Sequence, residues 1–503
     1  MDANGSLWSA TSAAPSFGPL EGDLGVDVAV AGGGIAGLTA ALLLAEQGHK
    51  VAMLEARRIG SGVTHRSTAH ATEAIDVRYQ AIEDRFGREA SRLVAASSRA
   101  AIERIGSLAD RMGTGFVRRC GYLFAERDQD LAALRDEEGA ASRAGLTARL
   151  RHEAPLPFAT KGALELEDQA QFHVGRYVAG LAIEARAKGA LLVEETRVVA
   201  VEDGDPCLVH IAGGPIVRAR KVLLATHTPI DRLLLQTKVA AYRSYVLAFE
   251  GVALPDGLFW DTDEPYHYLS AYEVDGTPWL LVGGEDHKTG AESDTEARFD
   301  ALHAWTRARL SVPDPRLRWS AQVEVPVDGL PYIGRSSFGD NVLVATGFAG
   351  NGTTFGTIAA MLTSDLVAGR ASPWAELYAA TRVKPLVAAS AYVGENLGFP
   401  IHLLSDRLAP PDARSVAEIG RGQGKTVKLG GQRLAVYRDP EGALHAVSAV
   451  CTHLGCLVTF NAAERTWDCP CHGSRFGVDG DVLDGPATRP LAQQRQHDDN
   501  EGR

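Results

Sequence analysis

Val26-Asp27-Val28-Ala29-Val30-Ala31 runs without a break into Gly32-Gly33-Gly34-Ile35-Ala36-Gly37, and Leu38 to Gln47 follows as an Ala/Leu-rich segment closed by Gly48. The first six residues have the length and valine content of a strand buried on both faces. The Ala/Leu segment predicts a helix. In the order strand, G-x-G-x-x-G, helix, Gly32 makes the tight turn, Gly34 lets the backbone approach a pyrophosphate, and Gly37 lets helix and strand pack closely. The helix N-terminus, opened by Ile35 and Ala36, then faces the phosphates. A second strand, Lys50 to Leu54, ends in Glu55, an acceptor for ribose hydroxyls at the distance such a unit requires, with Ala56 and Arg57 beside it. A lone glycine motif is weak, but both strands, the helix and the acid in register predict a dinucleotide site.

A second glycine turn narrows the choice of dinucleotide. Glu195-Thr196-Arg197-Val198 precedes a β-rich stretch, Val222 to Thr226 reads as another buried strand, and Asp328-Gly-Leu-Pro-Tyr-Ile-Gly334 leads to the strand Val342 to Ala345. Gly347-Phe348-Ala349-Gly350-Asn351-Gly352-Thr353 then opens a helix running to about Val367. Backbone N–H groups and a positive helix end in the core of the domain suit a flavin, whose reduced form carries negative charge near N1 and the C2 carbonyl. An ordinary helix start is the plainer reading of the same turn.

Near the C-terminus stands Cys451-Thr-His453-Leu-Gly-Cys456, followed after twelve residues by Cys469-Pro-Cys471-His472-Gly-Ser474. Two Cys-plus-His pairs at this spacing form the ligand set of a [2Fe-2S] centre in which one iron is held by two thiolates and the other by two imidazoles. Neutral imidazoles leave such a cluster less negative than an all-Cys one, so it accepts an electron at roughly −150 to +300 mV rather than roughly −400 mV. A structural zinc site also takes Cys and His, although it usually groups like with like.

The two motifs C-T-H-L-G-C and C-P-C-H-G-S resemble the Rieske family, with Gly485-Pro486-Ala487 similar to its third, proline-bearing loop. The resemblance implies a disulfide between Cys456 and Cys471, as in cytochrome bc-type members. It also exposes two departures. Phe476 stands where high-potential members carry Tyr, and the polar run Gln493 to Arg503 replaces a final strand.

Residues 25–375 resemble the FAD-dependent superfamily of D-amino acid oxidase, glycine oxidase and sarcosine oxidase. Gly62-Val-Thr-His-Arg-Ser-Thr-Ala69 and Gly283-Gly-Glu-Asp-His-Lys-Thr-Gly290 look like bacterial members fused to a C-terminal Rieske domain. The implied fold is α/β: a Rossmann-like FAD-binding domain (about 25–75, 161–234 and 321–375) with an inserted antiparallel-sheet substrate domain (about 76–160 and 235–320). A helix-like connector (376–410), a small all-β Rieske domain (411–492) and a polar tail (493–503) follow. The resemblance places FAD against Gly32 to Gly37, Glu55, Ala56, Arg57, Thr64, Ser67, Thr68, Ala69, Val198, Thr226, Gly347, Gly350, Asn351, Gly352 and Thr353. His65 lies near the loop where some relatives attach flavin covalently.

Composition agrees with two redox modules. The 503 residues are 45% hydrophobic and 23% charged, enough for a large core. A net charge of −12 without a basic stripe excludes a nucleic-acid partner. No run reaches the roughly 18 apolar residues of a membrane span. Residues 1–24, rich in Ser, Ala, Gly and Pro, read as a loose tail rather than a signal peptide, which predicts a cytoplasmic protein. Cys120 and Cys207 read as buried small hydrophobes.

The substrate is the quiet part. Amino acid oxidases of the superfamily carry an Arg shortly before Asp-Gly-x-Pro to grip a carboxylate, whereas here the stretch is Gln322-Val-Glu324-Val-Pro326. A plain α-amino acid is not expected. Polar aromatic and basic groups of the inserted domain, Tyr242, Tyr245, His267, Tyr268, His287 and Lys288, are the candidates for pocket and catalytic residues. The combined expectation is a dehydrogenase or oxidase that takes a hydride from a small organic substrate, an amine, to FAD and passes electrons singly through the cluster to an external acceptor, whether carrier protein, quinone or oxygen. A Rieske oxygenase would need a mononuclear iron domain. An NAD(P)H-dependent reductase would normally show a second G-x-G-x-x-G, which is missing, and a non-catalytic redox sensor is the remaining alternative.

Overall fold

The computed structural model describes residues 5–230, 233–337, 339–382 and 410–494. Leu24–Ala31 is the central strand of an eight-stranded sheet, parallel to Ile216–Leu224 on one side and Val51–Leu54 on the other. Leu191–Val193 and Val342–Thr346 extend the parallel set, and Tyr332–Arg335 closes one edge antiparallel. The helix Ile35–Glu46 is buried along nearly its whole length, because it is packed between this sheet and the helices Gly352–Val367 and Val174–Ala187. That burial explains a sequence apolar on every face.

A nine-stranded, mainly antiparallel sheet forms the second layer, in the order Leu317–Pro326, Val239–Glu250, Thr277–Lys288, His267–Val274, Leu258–Asp261, Phe116–Ala125, Gly162–Phe172 and His70–Ala71, with Ala148–Arg151 beside Gly162–Phe172. Period-two alternation gives it two unlike faces. Tyr245, Leu247 and Phe249 pack with Leu280 and Val282 under the helix Glu296–Arg309, through Phe299 and Leu302. Val246, Ala248, Leu281 and Trp319 face the core shared with the eight-stranded layer.

Three expectations are corrected here. The strand Gly162–Phe172 and the second half of Leu317–Pro326, assigned by sequence to the FAD-binding pieces 161–234 and 321–375, pair within the nine-stranded sheet. The helix Arg88–Met112, assigned to the substrate piece 76–160, packs on Gly352–Val367. Nor is the N-terminus loose where it is described: Ser6 caps a short helix Leu7–Thr11, Leu7 and Trp8 are wholly buried, and Trp8 Nε1 donates to the Ser67 carbonyl at 2.6 Å. Two large apolar side chains repay the ordering of a few residues.

The connector 376–410 lies mostly outside the described residues, as does the tail beyond 494. From Pro410 the chain forms a three-stranded sheet, Gly424–Leu429, Gln432–Arg438 and Leu444–Ser448, and a four-stranded one, Thr459–Asn461, Thr466–Asp468, Arg475–Phe476 and Val482–Asp484. Cys451, Cys456, Cys469, Trp467 and Phe476 share their core.

Candidate active site and iron-sulfur centre

A deep cavity opens where the two large sheets meet. Its wall carries all of the FAD candidates except Gly37 and Gly347. Gly32, at φ +109°, admits no side chain because a Cβ there would strike the Ala225 carbonyl. Gly37 is used for packing instead, since a Cβ would collide with the Gly32 carbonyl. Glu55 accepts from Gly33 N at 2.7 Å and from Arg57 N at 2.8 Å, so the acid that should meet ribose is held at the glycine turn. Ile35 N donates to Thr64 Oγ1 at 3.1 Å, tying the following loop to the helix start. At the second turn Asn351 begins the helix Gly352–Val367 and accepts from Asp76 N at 3.0 Å, while Gly350 N donates to Asp76 Oδ2 at 2.8 Å. Glycine turns without Cβ atoms and two helix N-termini fit an extended dinucleotide.

Of the catalytic candidates only Tyr268 lines the cavity. Its hydroxyl lies 3.1 Å from Ser244 Oγ. Tyr245 points to the other face and meets His287 Nε2 at 2.9 Å; His287 Nδ1 in turn meets the Lys288 carbonyl. His267 stacks on Trp305 and holds Asp261 Oδ2 at 2.8 Å. Tyr242 and Lys288 are paired across two neighbouring interior strands, outside the cavity lining. The cause is a bulge: Gly284 and Glu285 both have positive φ, at +144° and +57°, which changes the alternation beyond them. It turns Asp286, rather than His287, to the cavity side, among the hydroxyls of Ser244 and Tyr266, with Asp286 Oδ1 buried and free of any hydrogen-bond partner among the described residues. Burial pushes the Asp286 carboxyl up to about 7.

Sequence reasoning missed Asp76, His70, Trp260, Tyr266 and Phe348 in the cavity wall. Tyr266 shared the aromatic signal used to choose its neighbours. His70 is held neutral by burial, which lowers it to about 3. Ala321 and Val323 face the cavity, whereas Gln322 turns toward Gly473. His65 is not part of the wall; its ring rests on Gly60.

The two C-terminal loops are built alike. Gly455 N donates to the Cys451 carbonyl and Gly473 N to the Cys469 carbonyl, each at 3.0 Å, so each loop presents a Cys and a His from one tight turn. Cys451 and Cys469 are buried, and the His453 and His472 rings stand 5.0 Å apart and perpendicular. The sulfurs of Cys456, Cys469 and Cys471 lie within 4.8 Å of one another, but Cys456 and Cys471 are joined in a disulfide and cannot ligate. Cys451 is drawn down to about 7, first by its hydrogen bond with Cys469 and also by the His453 and Leu454 N–H groups and Ser474, which favours a thiolate. Burial lowers both histidines to about 4, keeping them the neutral imidazoles that metal binding requires. Two cysteines and two neutral histidines converging from paired loops fit a Rieske cluster.

Known proteins match both halves. The family model "FAD dependent oxidoreductase" matches residues 27–366, and the "Rieske [2Fe-2S] domain" model matches 411–495. The chain belongs to the FAD-dependent oxidoreductases and carries a C-terminal Rieske [2Fe-2S] domain. It is 32% identical over 498 residues, 98% of either chain, to the Rieske 2Fe-2S iron-sulfur protein YhfW of Bacillus subtilis (strain 168). Over 79 residues, 16% of this chain and 43% of the other, it is 40% identical to the cytochrome b6-f complex iron-sulfur subunit of Chlorobaculum thiosulfatiphilum. The glycine oxidase of Geobacillus kaustophilus superposes with TM-score 0.60 at 20% identity, covering 72% of this chain and all of that one. The L-proline dehydrogenase of P. horikoshii gives 0.57 at 18%, covering 72% of this chain and 98% of its own. This oxidoreductase therefore has FAD and a [2Fe-2S] cluster as its cofactors. No helix among the described residues is long and apolar enough to cross a membrane.

Proposed function

We propose that this oxidoreductase is an amine dehydrogenase or oxidase wired to its own one-electron outlet, with an external acceptor completing the circuit. Bound FAD supplies the hydride acceptor and the cluster accepts electrons one at a time. The observation that carries this reading is contact: the cluster-bearing loop packs directly on the sheet that walls the FAD cavity, with Gly473 against Ala241 and Gln322, and Pro470 against Gly290. The structural neighbours glycine oxidase and L-proline dehydrogenase are named for amino-acid substrates, which favours C–H bonds beside nitrogen.

The chain's own groups have definable tasks in this reading. Tyr268, Trp260 and Phe348 give an apolar and aromatic wall that excludes water from the reacting carbon. Asp286, poised near neutrality behind Ser244 and Tyr266, is suited to take a proton from an ammonium substrate through these hydroxyls, because only the free amine can lose hydride. The positive N-terminal end of the helix Gly352–Val367 would stabilise negative charge on the reduced cofactor.

Secondary and tertiary amines, betaines and hydroxy acids should be screened anaerobically in the intact protein. A true substrate bleaches the flavin absorbance and then brings up the rhombic EPR signal of the reduced cluster. Flavin bleaching with a cluster that stays oxidised would refute the wiring, and rapid bleaching by NADH alone would favour the reductase alternative.

A further inference from the structure

The FAD cavity is not closed by the oxidoreductase domain alone. Leu483, Asp484, Gly485, Ala487 and Thr488, from the third loop of the Rieske domain, form part of its wall. They meet it at the nucleotide end. Arg197 donates to the Val482 carbonyl at 2.8 Å, a Cβ at Gly485 would lie within 3.9 Å of Ile230 and Thr228, and the charges of Arg475 first and then Arg57 hold the Asp484 carboxyl well below its usual range. The same loop reaches the cluster side, where Ala487 N donates to Ser474 Oγ at 3.0 Å. One loop thus spans both cofactor sites.

Beside it lies an ionic seam of three guanidiniums and three carboxylates. Glu464 is gripped by Arg243 of the nine-stranded sheet, by Arg66 at 2.9 Å and by Arg475 at 2.5 Å. Arg475 also pairs with Asp468 at 3.0 Å and Asp484 at 3.2 Å. Arg243 is fully buried and Arg475 nearly so, and Arg66 itself lines the FAD cavity. A buried pair of this kind contributes little over an apolar one when intact, yet is costly to break, so it specifies one docked position. Further along the seam Thr295 Oγ1 donates to Asn461 Oδ1 at 2.9 Å and accepts from Ala463 N at 3.1 Å. Close approach is built in as well: a Cβ at Gly290 would stand 2.7 Å from Pro470 N, and one at Gly473 would overlap Ala241.

From this arrangement we infer that the Rieske domain is also a lid on the dinucleotide site: its Leu483–Thr488 loop covers the adenosine diphosphate end of FAD, and Glu464, held between Arg243 and Arg66, is the latch. FAD then leaves only when the domain lifts, and the cluster is held in one docked place whenever the flavin site is filled. The idea depends on FAD being bound, not on the identity of substrate or acceptor.

The test uses the full-length holoprotein with FAD as the probe. Two latch variants, Glu464→Gln and the milder Thr295→Val, sit outside the cavity wall, so neither touches FAD directly. After dilution, FAD release is followed by the return of free-flavin fluorescence, and hydrogen–deuterium exchange is followed at 483–488. The lid predicts that release quickens by about tenfold or more in Glu464→Gln and by a smaller factor in Thr295→Val, with exchange at 483–488 rising in step and the cluster's visible spectrum unchanged. Faster exchange at 483–488 with FAD release at the parental rate overturns it, as does faster release without any rise in exchange. Should Glu464→Gln fail to fold, Thr295→Val decides by the same two readings.

Discussion

The seam between the domains and the hydroxyl-lined end of the cavity each bury a carboxylate, and the two are treated in opposite ways. Burial alone would raise Glu464, but Arg243, Arg475 and Arg66 pull it down to about 2. Asp286 has hydroxyls for neighbours and the carboxylates of Asp76 and Glu264 nearby, so burial wins and lifts it to about 7. Equal burial therefore yields a fixed charge in one region and a titrating group in the other. The first suits a latch and the second a proton acceptor.

Breaking the seam should have the largest effect. Glu464→Gln leaves Arg243 buried with its charge uncompensated, a loss of about 3–5 kcal/mol in folding or docking stability. The pH dependence has a definite sign. A folded-state value near 2 against an ordinary 4.5 means that the stability supplied by Glu464 is fully present above about pH 4.5 and is lost as pH falls toward 2. Thermal melts of parent and variant should thus diverge at pH 6 and converge near pH 2. Equal melting temperatures at pH 6 would show that the seam carries no load.

Asp286→Asn sharpens the other half of the comparison, with the opposite sign. A carboxyl raised from 3.8 to about 7 costs stability as pH climbs through that window, because the folded state resists ionisation. The amide should stabilise by about 4 kcal/mol at pH 8, at roughly 1.4 kcal/mol per pH unit between the two values, and by nothing at pH 3. If Asp286 is the proton acceptor, the variant also removes the neutral-range limb from the kcat/KM profile. An unchanged profile would reduce Asp286 to a structural role.

The two faces of the nine-stranded sheet can be separated by one hydroxyl each. Tyr245→Phe loses only the bond to His287, about 1 kcal/mol of stability, and should leave KM alone. Tyr268→Phe removes a hydroxyl from the cavity wall and should change KM about fivefold with little effect on melting. The reverse pattern would mean that the faces are assigned backwards.

Tyr245 and His287 carry the polar aromatic signal of a pocket yet pair with each other on the face away from it. The strand-glycine-helix unit at Val26 to Gln47 and both Cys-plus-His loops were legible because each is local: a periodicity, a turn and a ligand within a few residues. Which face of Thr277–Lys288 looks into the cavity is not local. It turns on the bulge at Gly284 and Glu285, whose positive φ is visible in a sequence only as a glycine pair preceding an acid. The sheet to which Gly162–Phe172 and residues 321–326 belong is hidden for the same reason, since strand membership is decided by distant partners. Leu483–Thr488 carried a signal for the cluster and none for the FAD cavity it also walls, because docking across more than four hundred residues of chain leaves no pattern within the loop.

The smallest effect belongs to the cluster itself. Phe476 is wholly buried in the core that holds Cys451 and Cys469, at the position where the Rieske resemblance implies a tyrosine in high-potential members. Phe476→Tyr would supply one hydrogen bond that favours the reduced cluster, worth about 0.5–1 kcal/mol, or roughly 20–40 mV for one electron. Voltammetry of the full-length protein should show that rise with no change in FAD release, because the substitution lies on the cluster side of the seam. A potential that stays put would mean the new hydroxyl finds another partner. A rise accompanied by faster FAD release would mean that the cluster core and the lid loop move as one body, joined through Arg475, which lies next to Phe476 and pairs with Asp484.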